Sequence, residues 1–398
     1  MLRVLAITKI FPNRAEPLSA PFNRQQFSAL SKLCELQVMA TIPWYPGAGL
    51  FSKWSSAGRL SAVPSNDVID GIAVRHARTL FVPRMAPATW GPLYAASIAR
   101  DVARLRGKVD VVLGSWAYPD GFAAVLAAKA LGAPAVIKLH GSDINVIAKQ
   151  PGPRRLVRWA LRNADRVVAV SAPLADEAAA LGASPSRVAI VRNGVDASRF
   201  YPRDRAEARR SLGLAAAAHV AVFVGNLKEN KGVLDLAAAF FDVRAAVAAA
   251  QLVIVGEGPA RAAVHEAVAP LGECVQMVGA RPPDEVATWM AAADVLVLPS
   301  WSEGTPNVVL EALASGRRVV AAAVGGIPDL LHRPELGELV PAKQPRLLAS
   351  ALTRALTTEY DSAQVASLAA SGGWESSAQA LLAVLEAAHA SPRSPAES

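Results

Sequence analysis

The sequence predicts an α/β protein built from two doubly wound parallel-sheet domains. Short apolar runs alternate with helical patterns along the chain, and repeated strand, helix, strand units produce parallel sheets covered by helices on both faces. The alternation pauses in a polar stretch after Gly194 and begins again at His219. A chain of 398 residues is also too long for one ordinary hydrophobic core, and the usual domain sizes favour two.

Eleven apolar runs are predicted as strands, six before the pause and five after it. In chain order they read LRVLAIT, LQVMAT, DVVLG, APAVIKLHG, RVVAVS, RVAIVRNG, HVAVFVGN, QLVIVGEG, CVQMVG, DVLVLPS and RVVAAAVGG. Past Ala370, the segment SGGWESSAQALLAVLEAAHA is predicted as a final helix that Trp374 anchors by packing.

The polar stretch predicts an interdomain linker near residues 195–204. We therefore expect a first domain over residues 1–196 and a second over residues 197–373, followed by a disordered tail over residues 391–398. Ligands of such sheets bind beyond the carboxyl ends of the strands, so two sheets that face each other predict a site in the cleft between the domains.

Composition and charge narrow the class of protein. Hydrophobic residues make up 52% of the chain and charged residues 19%, which is typical of a globular protein and excludes a disordered one. The net charge of +8 favours anionic partners, among them phosphorylated substrates, anionic lipid headgroups and nucleic acid. Because no nucleic-acid recognition element is recognisable in the sequence, we expect no nucleic-acid partner.

One basic cluster stands out from the scattered charges. It consists of Arg154, Arg155, Arg158, Arg162 and Arg166, and the last four share one face of a helix at spacings of three and four. One interpretation is an ordinary solvated helix face. The other is a patch that rests on an anionic membrane, where each basic residue contributes about 1 kcal/mol.

The cysteines and the apolar segments bear on localisation. Cys34 and Cys274 are the two cysteines of the chain, and they lack metal-ligand spacing, which favours a reducing compartment. The start, MLRVLAITKIFP, has no long apolar middle and no small-residue cleavage site, and no apolar run reaches the roughly 18 residues of a spanning helix. We expect a cytoplasmic protein, with peripheral contact at the inner face of a membrane as a further possibility.

The segment from Leu298 to Leu330 carries two acids, Glu303 and Glu311, separated by seven residues. It follows an apolar run that is predicted as a buried strand, and a helix is predicted to begin near Thr305 and Pro306. The free amides of a helix start favour anions, so a diphosphate can bind there while the carboxylates reach sugar hydroxyls. Surface acids at a helix start are the alternative interpretation.

This segment resembles that of family 4 glycosyltransferases of the GT-B architecture, and the resemblance extends over nearly the whole chain. It implies two Rossmann-like domains and a C-terminal helix, residues 374–390, that crosses back to the first domain. It also implies that Glu303 contacts hydroxyls of the transferred sugar and that Glu311 contacts the ribose. The donor-binding positions around them are Gly304, Thr305, Pro306 and Asn307.

Two further loops of the second domain match the family. In VFVGNLKENKG, Lys231 corresponds to the lysine that contacts the diphosphate, whereas Asn226 replaces the usual arginine and removes one cation. In VGEGPAR, Gly256 and Gly258 are expected to let the backbone approach the donor. This loop is not a dinucleotide fingerprint, because Arg261 occupies the place of the third glycine, and a dehydrogenase is excluded on that ground.

The first domain supplies the expected acceptor side. In IKLHGSDIN, the family places the pair of His140 and Gly141 at the bond to be broken, so His140 is expected to contact the transferred sugar. Residues that we assign to the sugar or the acceptor are Arg24, Trp116, Asp120 and Asp143. For Asp143 the alternatives are holding His140 or capping the next helix, and for Trp116 the alternative is core packing.

These residues predict a retaining glycosyltransferase that moves a sugar from a nucleoside-diphosphate sugar to a hydroxyl acceptor, lipid-linked or polysaccharide. Retention is implied by the resemblance. No Asp-x-Asp pair follows a strand, so we expect no metal ion and no cofactor, with amides and basic side chains stabilising the leaving diphosphate. The alternatives are a nucleotide-sugar epimerase of the same architecture and, because of Asn226, a non-catalytic nucleotide-sugar-binding partner.

Overall fold

The computed structural model describes residues 1–17, 19–47, 56–80, 87–369 and 372–391. The chain divides into two units: unit 1 comprises Met1–Asn193 and the segment that begins at Trp374, and unit 2 comprises Gly194–Gly373. Unit 1 thus ends three residues before the predicted limit at residue 196. The predicted tail lies outside the described residues except for Ser391, which donates a hydrogen bond to a backbone carbonyl.

Unit 1 is built around one sheet, which has eight strands within the described residues. The strands are β1 (Arg3–Thr8), β2 (Glu35–Trp44), β3 (Asn66–Ile69), β4 (Ile72–Leu80), β5 (Val111–Ser115), β6 (Ala135–Lys138), β7 (Arg166–Ala169) and β8 (Val188–Ile190). Their order in the sheet is β3-β4-β2-β1-β5-β6-β7-β8. The helices before residue 194 are α1 (Pro21–Leu30), α2 (Ser56–Leu60), α3 (Trp90–Ala103), α4 (Phe122–Leu131), α5 (Ser142–Asn145), α6 (Pro151–Asn163) and α7 (Ala172–Ala180).

Unit 2 contains a six-stranded sheet within the described part of the chain, and all its strand pairs are parallel. The strands are β9 (His219–Val224), β10 (Ala250–Val255), β11 (Val275–Gly279), β12 (Val295–Leu298), β13 (Arg318–Ala322) and β14 (Gly337–Val340), in the order β11-β10-β9-β12-β13-β14. The helices are α8 (Arg205–Leu212), α9 (Val233–Ala246), α10 (Arg261–Val268), α11 (Pro283–Ala292), α12 (Asn307–Ala314), α13 (Ile327–Leu330), α14 (Pro345–Thr357) and α15 (Ser362–Leu368).

The prediction of two doubly wound α/β domains is confirmed, and each of the eleven predicted runs contains a strand. Three strands were missed, and one of them makes the first sheet mixed. β3 pairs antiparallel with β4 through a two-residue turn at Asp70 and Gly71, whose φ angles are 51° and 79°. Asp-Gly is a strong hairpin signal because such a turn needs two positive φ angles. The third missed strand, β14, is a short edge strand.

Alternate residues of the central strands of unit 1 enter different hydrophobic clusters. Leu5 and Ile7 of β1 belong to one cluster, and Val4 and Ala6 belong to the other. Because successive side chains of a strand point to opposite faces, both faces of this sheet are covered by apolar groups. This burial explains why the strands read as continuous apolar runs.

The last helix, α16 (Trp374–Ala390), belongs to unit 1. Trp374 is 5% exposed and lies in the same hydrophobic cluster as Phe27 of α1, together with Leu381 and Leu385 of α16. The segment that follows unit 2 in the chain is therefore anchored to unit 1 by an apolar stripe.

Strand order fixes where ligand-binding loops can lie in each sheet. In unit 2 the chain runs outwards from β9 to β10 and β11, and then continues on the other side of β9 with β12, β13 and β14. The crevice beyond the carboxyl ends of β9 and β12 is therefore the topological switch point of this sheet. In unit 1 the corresponding switch point lies between β1 and β5.

A buried ammonium group joins several elements of unit 1. Lys138, at the end of β6, is fully buried and donates hydrogen bonds to Gln26 Oε1 and, at 3.3 Å, to Asn193 Oδ1. The amide of Gln26 in turn donates to Ser377 Oγ of α16 at 3.0 Å, and Ser377 donates to a carbonyl at Arg192. Burial lowers the pKa of Lys138 from 10.5 to about 7.

Lys138→Met is expected to change how stability depends on pH. Between about pH 7 and 10.5 the unfolded chain holds a proton on Lys138 that the folded protein has released, so this residue's contribution to stability rises with pH. Urea unfolding at pH 7.5 and 9 should show the wild type gaining up to about 1.4 kcal/mol per pH unit relative to the variant. Lys129→Met, at an exposed position of α4, is the control; a difference that is constant with pH would contradict the prediction.

Candidate active site

The centre of unit 2's switch point is an ion pair between two predicted site residues. Lys231 lies in the loop that follows β9, and Glu303 lies in the loop that follows the neighbouring strand β12. The distance from Lys231 Nζ to Glu303 Oε1 is 2.6 Å, and the two side chains are 25% and 9% exposed. The structure thus brings together the residues assigned to the diphosphate and to the sugar.

Close backbone contacts hold these two loops in place. At Gly232, which has a φ of 67°, a Cβ atom would lie 2.1 Å from the carbonyl oxygen of Pro299. At Gly325, a Cβ atom would lie 2.1 Å from the carbonyl oxygen of Glu303. Larger residues at either glycine would push the loops apart, so the position of the ion pair depends on both glycines.

Trp301 is a residue of this region that the sequence interpretation missed. Its backbone N–H donates to the carbonyl of Asn230 at 2.9 Å, next to Lys231. Its indole N–H donates to Asp235 Oδ2 at 2.6 Å, and the ammonium of Lys343 lies 4.1 Å from the ring centroid. Trp301 therefore links the loops that follow β9, β12 and β14. The available sequence signal was a large aromatic residue two positions before Glu303, in the loop after a predicted strand.

Helix α12 starts one residue later than expected. Its first residue is Asn307, and Pro306 is the N-cap residue rather than part of the first turn. Gly304 and Thr305 lie in the connection between Glu303 and this helix, and the N–H of Gly326 donates to the Gly304 carbonyl at 2.7 Å. The predicted helix start is therefore present beside the ion pair.

Glu311 lies within α12, where its neighbours Leu310 and Ala312 are buried. Burial, together with the negative charge of Asp196, raises the pKa of the Glu311 carboxyl group to about 7. Hydroxyl groups that donate hydrogen bonds to a buried carboxylate offset the free-energy cost of removing its charge from water.

Gly256 and Gly258 have a packing role that the sequence interpretation did not assign. A Cβ atom at Gly256 would lie 1.9 Å from the carbonyl oxygen of Gly225, and one at Gly258 would lie 2.4 Å from that of Leu227. Their small size thus lets the loop after β10 pack against the loop after β9, and their contact with the donor stays a prediction. Asn226, between Gly225 and Leu227, is exposed.

In unit 1, a chain of hydrogen bonds fixes His140 at the end of β6. His140 Nε2 lies 2.9 Å from Ser115 Oγ, and Ser115 Oγ donates to Asn23 Oδ1 at 3.1 Å. Because the single hydroxyl proton of Ser115 is used in this way, Nε2 of His140 is the donor and carries the proton. Burial and the charge of Lys138 lower the pKa of His140 well below 6.5, so the imidazole is neutral.

Aromatic rings surround His140. Trp116 stacks on the imidazole with a centroid distance of 4.2 Å, and Phe22 lies 5.1 Å from it. Trp116 is 5% exposed, has a φ of 100°, and donates from its indole to Ser142 Oγ at 3.1 Å. Its role in the fold is to orient His140, and Ser115 and Asn23 are partners that the sequence interpretation did not assign.

Two carboxylates assigned to the sugar or the acceptor are fully buried, and these assignments need correction. Asp143 accepts hydrogen bonds from the backbone N–H groups of Ala117, His140, Gly141 and Ile144, so it holds the loop that carries His140. Burial raises the pKa of Asp120 to about 7, next to Tyr94 and Lys9. Neither carboxylate is accessible to a ligand.

Arg24 of α1 is engaged in a different contact from the one expected. Its guanidinium forms a two-point ion pair with Asp70, at 2.7 and 2.8 Å. Asp70 lies in the β3–β4 turn, so the pair ties the missed hairpin to α1. The guanidinium is thus engaged by a carboxylate of the same unit.

Two properties of the described residues concern metals and membranes. Residues 1–17, 19–47, 56–80, 87–369 and 372–391 contain no group of three or more His, Cys, Asp or Glu side chains that could hold a metal ion. Over the same residues, no helix combines the length and the apolar character that crossing a membrane requires.

Two doubly wound units with these loops define the GT-B class of glycosyltransferases. A family model described as Glycosyltransferase Family 4 matches residues 56–199, and one described as Glycosyl transferases group 1 matches residues 218–358. The chain belongs to glycosyltransferase family 4 and is a hexosyltransferase.

Relatives and solved structures agree with this family. The chain is 30% identical over 360 residues to a Bacillus subtilis (strain 168) protein named "Putative teichuronic acid biosynthesis glycosyltransferase TuaC", covering 89% of each chain. It is 33% identical over 353 residues to D-inositol 3-phosphate glycosyltransferase 1 of Catenulispora acidiphila, covering 82% of this chain and 83% of the relative. Its fold is similar to that of Anabaena Alr3699/HepE in complex with UDP, with a TM-score of 0.73 at 17% identity over 97% of this chain and 100% of that one.

Glu311→Gln is expected to stabilise the protein above pH 7. The folded protein keeps the Glu311 proton up to about pH 7, whereas the unfolded chain releases it near 4.5, so stability is lost as the pH rises through this window. The variant should be more stable than the wild type by about 1–2 kcal/mol at pH 7.5, and the difference should vanish near pH 4.5. Melting temperatures over this range test it, with Glu359→Gln at an exposed position as the control; no gain at pH 7.5 would count against it.

Proposed function

We propose that this protein is a retaining, metal-independent glycosyltransferase that moves a sugar from a nucleoside-diphosphate sugar to a hydroxyl of a lipid-linked or polysaccharide acceptor. The observation that carries the proposal is the pair of Lys231 and Glu303 at the switch point of unit 2, at a distance of 2.6 Å and next to the start of α12. An ammonium, a helix start and a carboxylate together match a diphosphate attached to a polyhydroxyl group.

In this proposal unit 2 binds the donor. The diphosphate contacts Lys231 and the positive end of the α12 dipole, near Asn307. Glu303 accepts hydrogen bonds from hydroxyls of the transferred sugar, and Glu311 accepts them from the ribose. The complex of Anabaena Alr3699/HepE with UDP supports a nucleoside diphosphate as the class of ligand, through the similarity of fold.

Catalysis then depends on orientation and on stabilising the departing charge. As the glycosidic bond breaks, negative charge grows on the diphosphate, where Lys231 and the helix start stabilise it. The acceptor attacks from the face that the phosphate leaves, and the departing phosphate takes the acceptor proton. Neutral His140, whose Nε2 proton is donated to Ser115, presents its other ring nitrogen as an acceptor for a sugar hydroxyl.

The names of the relatives support two classes of acceptor. TuaC is named for teichuronic acid biosynthesis, which supports a polymer, and the Catenulispora acidiphila relative is named for D-inositol 3-phosphate, a small phosphorylated alcohol. We favour the lipid-linked or polysaccharide acceptor, because the TuaC match covers more of both chains.

The donor and the activity are tested together with a panel of UDP-, GDP- and ADP-sugars. The matching donor should raise the melting temperature, because a ligand bound by the folded state stabilises it. With an acceptor present, Glu303→Ala should lower kcat/KM at least about 100-fold, a loss typical of removing a group that contacts the reacting sugar. Glu359→Ala, at an exposed position, is the control and should keep full activity.

Other outcomes of this assay would replace the proposal. Product formation from the donor alone would identify an epimerase, and binding without turnover over a broad acceptor panel would identify a non-catalytic partner. Inversion of the anomeric configuration, read by NMR of the product, would refute retention. Loss of activity on addition of a chelator would refute metal independence.

We propose in addition that α6 contacts anionic membranes. Arg154, Arg155, Arg158 and Arg162 are exposed on this helix, while Val157 and Leu161 are buried against the unit. The prediction that Arg166 shares this helix face is wrong, because α6 ends at Asn163 and Arg166 is the first residue of β7. None of these four arginines forms an ion pair with a described acidic residue. The exposed face of α6 is therefore positive and uncompensated, as contact with anionic headgroups requires.

Replacement of these four arginines by serine is expected to lower cosedimentation with vesicles that contain anionic phospholipid at least about tenfold, since each basic residue contributes about 1 kcal/mol. Binding to neutral vesicles should not change. The control with the same change of charge replaces four other exposed arginines by serine: Arg100, Arg106, Arg187 and Arg210. Equal losses in both variants would show a general effect of net charge and refute a role for α6.

A further inference from the structure

The ion pair of unit 2 has a consequence for ligand selection. Lys231 and Glu303 are bound to each other at 2.6 Å, although the proposed function assigns them to different parts of the donor. The pair is largely removed from water, since the carboxylate side chain is 9% exposed. A charge-assisted hydrogen bond in such a place is stronger than one at the surface.

Backbone contacts hold together the loops that carry these two side chains. The backbone at Gly232 lies against Pro299, the N–H of Trp301 is bonded to the carbonyl of Asn230, and the backbone at Gly325 lies against Glu303. A phosphate oxygen that accepts a hydrogen bond from Lys231 would lie about 3 Å from its nitrogen. It would therefore lie within about 6 Å of the Glu303 carboxylate, where two negative charges repel each other.

A nucleoside-diphosphate sugar and a free nucleoside diphosphate interact differently with the pair of Lys231 and Glu303. The sugar nucleotide brings hydroxyl donors that occupy Glu303 and release Lys231 to the diphosphate. The free nucleoside diphosphate brings more negative charge and no sugar hydroxyl, so it must compete with Glu303 for the ammonium.

We propose that the Lys231–Glu303 ion pair selects the intact donor against the nucleoside diphosphate product, and that its re-formation after sugar transfer favours product release. This inference rests on the proposed function and assigns Glu303 a second role at the same site. Glu303 binds the sugar in the donor complex and then displaces the diphosphate once the sugar has left.

The test is calorimetric binding of UDP, GDP or ADP, whichever nucleoside corresponds to the donor identified in the panel above. Glu303→Gln keeps the shape of the side chain and removes its charge, so Lys231 becomes available to the diphosphate. The variant is expected to bind the nucleoside diphosphate about tenfold more tightly than the wild type, while its transfer activity is lost. Glu303→Ala provides a second variant in case the first does not fold.

Two controls test whether the change in affinity depends on the Lys231–Glu303 pair. Glu338→Gln removes the same charge from unit 2 and also releases a basic partner, Arg354, at a position on β14 outside the site. Its affinity for the nucleoside diphosphate should stay within about twofold of the wild type. In a protein that also carries Lys231→Met, Glu303→Gln should no longer tighten binding of the nucleoside diphosphate. The ammonium group for which Glu303 and the diphosphate compete is then absent.

The outcomes separate this inference from the proposed function. If the wild type transfers sugar but Glu303→Gln binds the nucleoside diphosphate no more tightly than the wild type, the inference is overturned and the function stands. The inference is also overturned if Glu338→Gln tightens binding of the nucleoside diphosphate as much as Glu303→Gln does. It is overturned as well if Glu303→Gln still tightens that binding in the Lys231→Met protein. If no sugar nucleotide or nucleoside diphosphate binds the wild type, both fail.

Discussion

The close approach of the loops after β9 and β12 is the constraint on which the site of unit 2 depends. These strands are neighbours at the point where the strand order reverses, so their loops meet at one edge of the sheet. Gly232 and Gly325 allow backbone contacts that any side chain would block, and the ion pair of Lys231 and Glu303 forms across the resulting contact. Trp301 also contacts Lys343, which lies after β14, and so connects that loop to the same site.

In unit 1, buried polar groups fix the surroundings of His140. Asp143 binds four backbone amides around His140, and Lys138 connects the strand below it to α1 and α16. Each group is costly to bury, as the shifts in their pKa values indicate. Such fully engaged groups are rigid, so the neutral imidazole of His140 is held in one orientation and one tautomer.

Sequence reasoning found the strands because both faces of each sheet are buried, which leaves continuous apolar runs such as HVAVFVGN. It missed β3, β4 and β14. β3 and β14 lie at sheet edges, and Asp70 and Gly71 gave a hairpin signal for β3 and β4. Glu303, Lys231 and His140 were found through motif resemblance. Trp301 and Ser115 were missed because their side-chain partners are distant in sequence, although Trp301 lies within the segment from Leu298 to Leu330.

What the sequence by itself determined is the class of each element, the two-unit organisation and the family, because local periodicity and short motifs carry that information. The tertiary structure alone decided what the polar residues do. Asp120 was assigned to the sugar or the acceptor, yet packing buries it, and of the alternatives for Asp143 the structure shows the one in which it holds the loop of His140. Gly256 and Gly258 were assigned to the donor, and the structure shows a packing role against Gly225 and Leu227 that no sequence pattern indicated. The physical reason is that burial and close contact depend on which distant segments the strand order brings together, and no local pattern records that order.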